Sequence, residues 1–192
     1  MLKRLRQVWR SLIARGGKAS PQDNEPDALL LPFVIRPLQA GDQPDLLAVF
    51  QDAIDNGSRD DYQPSQRRAW REAVDIDTLS RQLADGEVVV AEWHQQVVGF
   101  AHRQGDYLNM LFVASDSQRT GIATLLYQYL EDSARIESQS GLTTHASVTA
   151  RPFFLEMGFH GDQQQPVERN GVPLQRYEMH KPLRQARIDQ KN

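Results

Sequence analysis

The spacing of apolar residues changes from a helical period to a strand-like one near residue 87. From there, three apolar runs, EVVVAEW, VVGFAHR and YLNMLFV, follow one another with short polar turns between them. Such a succession predicts an antiparallel meander. A separate run, FVIRPL, predicts an earlier strand near the start of the folded unit.

Apolar residues recur at helical spacing between that first strand and the meander. A first helix is predicted with Asp42 as its N-cap, Pro44 in its first turn and Gly57 as its C-cap. A second helical region covers residues 65–83, and its pattern is interrupted around residues 75–77. The first third of the folded unit is therefore expected to be mainly helical.

The chain returns to helical spacing after the meander. A long helix is predicted from Gly121 to about Ser138, and the strand LTTHASV follows it. The run ARPFFLEM predicts a short helix with Thr149 as its N-cap. Helix and strand thus alternate in this part of the sequence.

The last strand-like runs flank Asn170-Gly171, a dipeptide that favours a tight hairpin turn. A meander before a few helices and a hairpin after them predict an α+β domain. We expect a mixed, mostly antiparallel central sheet flanked by about four helices.

Charge divides the chain into regions. Residues 1–20 carry six basic side chains and no acidic one, so the rest of the chain sums to −9 within a total of −3. Helical spacing in residues 1–15 predicts an amphipathic helix that could contact a membrane surface or a protein; a frayed extension is the alternative. We predict an extension and linker over 1–32, a folded domain over 33–183 and a tail over 184–192.

Composition excludes several functions. The chain has no cysteine, so disulfides, thiolate metal sites and a cysteine nucleophile are excluded, and a cytoplasmic location is expected. The acidic domain is a poor nucleic-acid binder and favours a cationic small molecule or peptide. No pair of His, Asp or Glu has a convincing ligand spacing, so no metal is expected.

The stretch FVASDSQRTGIA joins a predicted strand, ending at Val113, to the long helix. The first amides of a helix have no intrahelical partner, so they can bind a phosphate. Gly121 and Ala123 allow close approach, and Arg119 adds a positive charge. The Walker and dinucleotide patterns are both excluded, because a Gly-Lys-Ser/Thr sequence and two further glycines are missing.

The same stretch resembles the Gln/Arg-x-x-Gly-x-Gly/Ala signature of the GNAT N-acetyltransferase superfamily, which cradles the pyrophosphate of acetyl-CoA. SVTARPFFLEMGF, residues 147–159, resembles the second motif of that family, Asn-x-x-Ala-x-x-Phe-Tyr-x-x-x-Gly-Phe. The resemblance covers about residues 33–182 and looks most similar to a YafP-like bacterial branch with Phe-Phe in place of Phe-Tyr. It implies a GNAT-like sheet in which a splayed pair of parallel strands forms the acetyl-CoA cleft.

The resemblance also implies a function, the transfer of an acetyl group from acetyl-CoA to an amine without a covalent enzyme intermediate. Backbone groups at the end of the third meander strand would hold the acetyl carbonyl and pantetheine, and backbone amides of the loop would bind the pyrophosphate. The residues assigned to acetyl-CoA in this way are Leu111, Phe112, Val113, Gln118, Arg119, Thr120, Gly121, Ile122, Ala123, Thr124, Ser147, Phe153 and Phe154.

Three positions depart from the family pattern. Phe154 stands where the family often has a tyrosine as general acid, Ser147 replaces the usual asparagine, and Asn109 replaces a common acidic residue. Loss of a general acid slows a reaction by roughly 10²- to 10⁴-fold, but a thiol with a pKa of about 8.5 leaves readily without protonation. The changes therefore do not exclude catalysis.

Four side chains are candidates for proton transfer and orientation: Tyr107, Asn109, His145 and Ser147. Strand alternation places His145 beside Ser147, and Asn109 on one face with Tyr107, Leu111 and Val113. His145 or Tyr107 could take the proton of the amine directly or through water; a structural role is the alternative for each. His102 lies near a strand end and is expected to be solvated.

We predict an N-acetyltransferase that acts on a primary amine of a small molecule or a peptide N-terminus, as a monomer or homodimer. Asp60, Asp61 and Tyr62 lie in a loop that tends to border the acceptor site in this family; a plain polar loop is the alternative. Two other functions stay open, an acyl-CoA-binding sensor with little turnover and a membrane-surface adaptor that uses the basic N-terminus.

Overall fold

A computed structural model describes residues 33–183. The predicted extension over residues 1–32, with its amphipathic helix, and the predicted tail over 184–192 lie outside the described residues. The described residues form nine β-strands and five α-helices. The strands are β1 (Phe33–Pro37), β2 (Glu87–Trp93), β3 (Gln96–Gln104), β4 (Tyr107–Val113), β5 (Gly141–Ser147), β6 (His160–Gln164), β7 (Val167–Arg169), β8 (Val172–Leu174) and β9 (Arg176–Pro182). The helices are α1 (Gln43–Asp55), α2 (Pro64–Glu72), α3 (Ile76–Gln82), α4 (Ile122–Ile136) and α5 (Arg151–Glu156).

Seven strands form one sheet in the order β1-β2-β3-β4-β5-β9-β6, and β7 and β8 form a separate hairpin. All neighbours in the large sheet are antiparallel except β4 and β5. The mixed α+β fold and the meander β2-β3-β4 are confirmed. The hairpin is confirmed too, with Asn170 and Gly171 at positive φ between the paired residues Arg169 and Val172.

Helices cover both faces of the large sheet. On the face that we call the α4 face, Leu126 and Leu130 of α4 and Phe154 of α5 are buried. On the opposite face, the α1 face, Phe50 of α1 and Leu79 of α3 are buried. Burial of such side chains contributes about 1.5–3 kcal/mol each, so both layers stabilise the sheet between them.

Strands β4 and β5 lie side by side at one end only. They pair at Tyr107 and Thr143, where the Thr143 N–H donates to the carbonyl of Asp106 at 2.8 Å. The Thr144 hydroxyl then donates to the carbonyl of Leu108 at 2.9 Å. Beyond this point β5 pairs with β9 through Ser147, and no further β4–β5 pair occurs among the described residues. The predicted splay of the parallel pair is therefore present.

A β-bulge interrupts β4 at Asn109. His102 of β3 pairs with Met110, and the next residue, Arg103, pairs with Leu108, so Asn109 has no partner opposite it on β3. A bulge shifts the alternation of side chains by one residue. Leu108 accordingly packs on the α4 face although Met110 packs on the α1 face.

The bulge corrects one sequence prediction. Leu111 and Val113 pack on the α4 face. The Asn109 amide instead forms a hydrogen bond with His102. His102 lies opposite Met110 in the β3–β4 pairing, and Met110 packs on the α1 face. Asn109 therefore does not share a face with Leu111 and Val113. The prediction failed because it assumed that side chains alternate regularly between the two faces along an unbroken β4.

Two predicted helix caps are also wrong. The C-cap of α1 is Asn56, not Gly57. The N-cap of α5 is Ala150, and its N–H donates to the Ser147 hydroxyl at 3.1 Å, while the hydroxyl of Thr149 is buried without a hydrogen-bond partner among the described residues.

Candidate functional site

A cavity of about 170 Å³ lies where β4 and β5 separate. Its walls come from both strands, from helices α1 and α2, and from the β7–β8 hairpin. One wall is aromatic, with Phe50 and Trp70 both packed edge-on against Phe112 at ring-centroid distances of 4.9 and 6.3 Å. The cavity thus combines an apolar wall with the polar ends of two strands, as small-molecule sites do.

Tyr107 and His145 form a hydrogen-bonded pair in this cavity, with 2.9 Å between the Tyr107 hydroxyl and Nδ1 of His145. Burial lowers the pKa of His145 below 6.5, and Arg176 lowers it further while Glu178 opposes the shift. Burial raises the pKa of Tyr107 above 10.0. At neutral pH a neutral imidazole therefore faces a protonated phenol, and one hydrogen bond joins the hydroxyl to Nδ1.

Asn109 contacts a buried histidine. Its side-chain amide lies 3.1 Å from Nδ1 of His102, and Nε2 of His102 lies 2.7 Å from the carbonyl of Asp85. The imidazole is buried, and this burial lowers its pKa below 6.5. Nε2 therefore donates to Asp85 and Nδ1 accepts from Asn109. The prediction that His102 is solvated is wrong, because β3 lies inside the sheet and His102 faces the α1 layer.

Tyr62 and Ser147 fix the end of β5. The Tyr62 hydroxyl accepts from the N–H of Val148 at 3.0 Å and donates to the carbonyl of Gln175 at 2.6 Å. Both side chains line the cavity, whereas the exposed Asp60 and Asp61 are absent from its described lining. Of the loop predicted to border an acceptor site, only Tyr62 reaches the cavity.

The loop before α4 presents free amides. Arg119 and Gly121 have positive φ values of 60° and 91°, and the first intrahelical bond runs from the Leu125 N–H to the carbonyl of Gly121. The N–H groups of residues 122–124 therefore have no helical partner, and the positive end of the helix dipole lies there. A Cβ placed on Gly121 would meet nothing within 4 Å. This open space beside free donors fits a phosphate group.

Asp52 and Gly57 hold this loop from the end of α1. The Asp52 carboxylate accepts from the N–H of Ser115 at 2.5 Å and from its hydroxyl at 3.1 Å. Gly57 lies so close to Gln118 that a Cβ there would be 2.3 Å from its Nε2, and this Nε2 donates to the carbonyl of Val113 at 3.2 Å. Gly57 therefore leaves the space that the Gln118 side chain needs, and Gln118 contributes to the site by holding the loop against the end of β4.

Asp52→Asn is expected to loosen the loop and lower the stability of the fold. Burial opposes ionisation of Asp52, but hydrogen bonds from Ser115 and Asn56 outweigh it and hold its pKa below 3.8. An asparagine has only one acceptor oxygen, so one donor loses its partner, at a cost of about 1–3 kcal/mol. Thermal unfolding at pH 7 measures this loss; Asp116→Asn, a substitution in the same loop, is the control.

The pH dependence of that difference follows from the lowered pKa. The ionised Asp52 stabilises the fold fully above pH 3.8, and this contribution is lost as the pH falls through the lower pKa of the folded state. The gap between wild type and variant should therefore close only at pH values below 3.8. Equal melting temperatures at pH 7 would show that Asp52 does not hold the loop.

The structure brings most of the predicted site residues together. The four candidates for proton transfer and orientation all line the cavity. Among the other residues assigned to acetyl-CoA, three line it as well: Leu111, Phe112 and Phe154. Gln118 to Thr124 lie in the loop and first turn of α4, and Val113 and Phe153 pack against the α4 face. Sequence reasoning missed Arg169, Gln175 and Arg176, which reach the cavity from β7, from the turn before β9 and from β9.

Two features are absent from the part of the chain that the structure describes. No three His, Cys, Asp or Glu side chains between residues 33 and 183 are grouped so that they could hold a metal ion. None of the helices in that range has the length and apolarity needed to cross a membrane.

Known proteins share both the sequence pattern and the fold. A family model described as an acetyltransferase (GNAT) domain matches residues 58–181. The chain is 39% identical over 138 residues to the uncharacterized N-acetyltransferase YafP of Escherichia coli (strain K12), in a match that covers 72% of this chain and 88% of YafP.

Solved structures agree with these matches. A GCN5-related N-acetyltransferase from Rhodopseudomonas palustris has a TM-score of 0.75 at 31% identity, over 78% of this chain and 95% of that chain. The PaiA N-acetyltransferase from Thermoplasma acidophilum, solved in complex with coenzyme A, has a TM-score of 0.61 at 16% identity, over 79% and 99% of the two chains. With a splayed parallel pair, a matching family model and a relative of this identity, the chain belongs to the GNAT family of acetyltransferases.

Proposed function

We propose that this protein transfers an acetyl group directly from acetyl-CoA to a primary amine of a small molecule or a peptide N-terminus. The observation that carries this proposal is the splay between β4 and β5, which opens a cavity beside the reactive side chains. The free amides of α4 lie at the end of the loop that follows the same strand. PaiA with coenzyme A, a fold neighbour, supports the choice of donor.

The residues present fit acetyl-CoA. Backbone N–H groups from Arg119 to Thr124 would bind the pyrophosphate, because Gly121 leaves open space there. Backbone groups of Leu111 to Val113 would hold the acetyl carbonyl and the pantetheine, since no β5 partner pairs with this part of β4. Acetyl-CoA supplies an activated acetyl thioester: the amine nitrogen forms a bond to the acetyl carbon as the carbon–sulfur bond breaks and the thiolate leaves.

The Tyr107–His145 pair is proposed to take the proton that the amine loses. In this proposal the neutral His145 carries its proton on Nε2, and the Tyr107 hydroxyl donates to Nδ1. The imidazole then accepts the phenol proton while the phenol oxygen accepts one from the amine. The net result is one proton moved from the amine to His145. A positioned base of this kind is worth roughly 10²- to 10⁴-fold in rate.

The position where the family often has a tyrosine as general acid is occupied here by a residue that cannot donate a proton. Phe154 stands there, 3% exposed, and packs edge-on against Phe153 and Phe159. Its ring has no proton to donate. The coenzyme thiol has an ordinary thiol's acidity, with a pKa of about 8.5 for the cysteine reference, so the thiolate leaves without protonation.

We predict that an amine with a low pKa is the better acceptor. A base whose own pKa is below 6.5 cannot remove the proton of a stable ammonium, so the amine has to enter in its neutral form. At pH 7 an amine with a pKa of about 10.4 is ~0.04% neutral, whereas an α-amino group near 8 is ~10% neutral. In a peptide with one α-amine and one lysine, mass spectrometry should find the α-amine acetylated first. Faster acetylation of the lysine would contradict this prediction.

The function itself is tested by thiol release from acetyl-CoA in the presence of a panel of amines. We expect release that depends on the amine and gives one acetylated amine per thiol. Tight acetyl-CoA binding without release on any amine would favour the alternative, an acyl-CoA-binding sensor, which the substitutions at Asn109, Ser147 and Phe154 would then explain.

A further inference from the structure

Two arginine side chains, Arg169 and Arg176, line the cavity. Among the described residues of its lining, none is an aspartate or a glutamate. The wall is therefore basic although the chain as a whole carries a net charge of −3. The cationic ligand expected from the overall charge does not fit this wall, because like charges would face each other.

Neither arginine is neutralised by the described part of the protein. Arg176 donates from Nε to the carbonyl of Gln165 at 3.0 Å, and Arg169 donates to the carbonyl of Glu168 at 3.3 Å. No carboxylate in residues 33–183 lies within ion-pair distance of either guanidinium. By contrast, the buried Arg103 has two carboxylate partners. Both guanidinium groups thus keep their charge available to a ligand.

The two guanidinium groups are also close enough to affect each other. Burial lowers the pKa of Arg169, and the charge of Arg176 lowers it further. The positive charge of Arg176 also acts to lower the pKa values of Tyr107 and His145. Two unpaired positive charges at this distance repel each other, and an anion bound between them would remove the repulsion. Arg176 also lies near the Tyr107–His145 pair, the proposed proton acceptor.

We propose that the acceptor amine carries a carboxylate, that Arg169 and Arg176 bind this carboxylate, and that its apolar body packs against Phe50, Trp70 and Phe112. The proposal rests on the proposed function, since it names the substrate class of the same site. An arginine matches a carboxylate with two parallel hydrogen bonds, which fixes the orientation of the ligand. The bound carboxylate would direct the amine toward the Tyr107–His145 pair.

A binding experiment tests the carboxylate site without any turnover. Calorimetry with the full chain compares 3-phenylpropanoate with 3-phenylpropan-1-ol, which has the same apolar body and no charge. We expect the carboxylate to bind about ten- to hundredfold more tightly, as hydrogen bonds to a charged group allow. Equal affinities, or no binding of the carboxylate up to high millimolar concentration, would overturn the proposal. Tighter binding of 2-phenylethylphosphonate would overturn the choice of a carboxylate.

Variants assign the effect to the two arginines. Arg176→Gln and Arg169→Gln should each lower the affinity for the carboxylate about tenfold or more and leave the affinity for the alcohol unchanged. Arg68→Gln, on an exposed side of α2, is the matched control and should change neither. Because Arg176 also bonds to Gln165, circular dichroism melts check the fold, and Arg169→Gln tests the site independently. Unchanged carboxylate preference in both folded variants would overturn the proposal.

Turnover separates this inference from the proposed function. L-Phenylalanine should be acetylated with a higher kcat/KM than 2-phenylethylamine, which lacks only the carboxylate, and the difference should vanish in Arg169→Gln. Acetylation of amines without any such preference would leave the function intact and overturn the carboxylate site. Arginine-dependent carboxylate binding without acetylation of any amine would support the site and contradict the function.

Discussion

Gly121→Asp should abolish acetyl-CoA binding at the concentrations that saturate the wild type. Gly121 has a φ of 91° and open space where the pyrophosphate is proposed to lie, next to the free N–H groups of α4. An aspartate would place a carboxylate in that space. Two like charges about 4 Å apart repel by about 1 to 4 kcal/mol, depending on exposure, and the side chain also blocks the donors. We therefore expect a loss of affinity of at least about hundredfold by calorimetry.

Gly41→Asp is the matched control for this variant. Gly41 has a φ of 96° and, like Gly121, has no atom within 4 Å of the place where a Cβ would lie, so the two substitutions strain the backbone to a similar degree. It lies before α1, away from the loop. The control should keep the acetyl-CoA affinity of the wild type. Near-normal affinity in a folded Gly121→Asp protein would contradict the phosphate site.

His145→Gln and Tyr107→Phe should each lower kcat by about 10²- to 10⁴-fold, because each removes one member of the proposed proton relay. Acetyl-CoA affinity should not change, since neither residue belongs to the loop that would bind the pyrophosphate. His160→Gln, in the edge strand β6 outside the described cavity lining, is the control and should keep full activity. A kcat close to that of the wild type in both variants would make the pair structural.

The pH profile distinguishes a base from a structural histidine. His145 has to be neutral to accept a proton, and burial and Arg176 lower its pKa below 6.5 while Glu178 acts in the opposite direction. The kcat should therefore be constant near pH 7 and fall as the pH drops through a value below 6.5. This acid limb should disappear in His145→Gln. A limb that persists in the variant would assign the titration to another group.

Local signals predicted most of the fold. The meander, the long helix and the Asn170-Gly171 hairpin each follow from neighbouring residues whose turn and strand preferences agree with the final structure. The helix over 65–83 divides into α2 and α3, and the break falls just before the predicted position. The short edge strand β6 was missed because its sequence, HGDQQ, has no apolar pattern.

Long-range contacts account for the errors at the site. Gly57 resembles a helix C-cap in sequence, but its role comes from Gln118, far along the chain. The bulge at Asn109 is visible only in the pairing of β3 with β4. Arg169 and Arg176 belong to no sequence motif. The β7–β8 hairpin brings Arg169 to the cavity, and the pairing of β9 with β5, opposite Ser147, brings Arg176 there. Sequence periodicity describes single elements, whereas these features depend on which elements meet.

Direct acetyl transfer in the β4–β5 cleft is tested most directly by mass spectrometry of a single turnover. The full chain is mixed with an excess of an amine substrate and with acetyl-CoA that is isotopically labelled in the acetyl group. The masses of the amine and of the protein are then measured over time. We expect the labelled acetyl group to appear on the amine at the rate of thiol release, with no acetylated protein at any time. Label that accumulates on the protein first, or bound acetyl-CoA that releases no thiol with any amine, would contradict direct transfer.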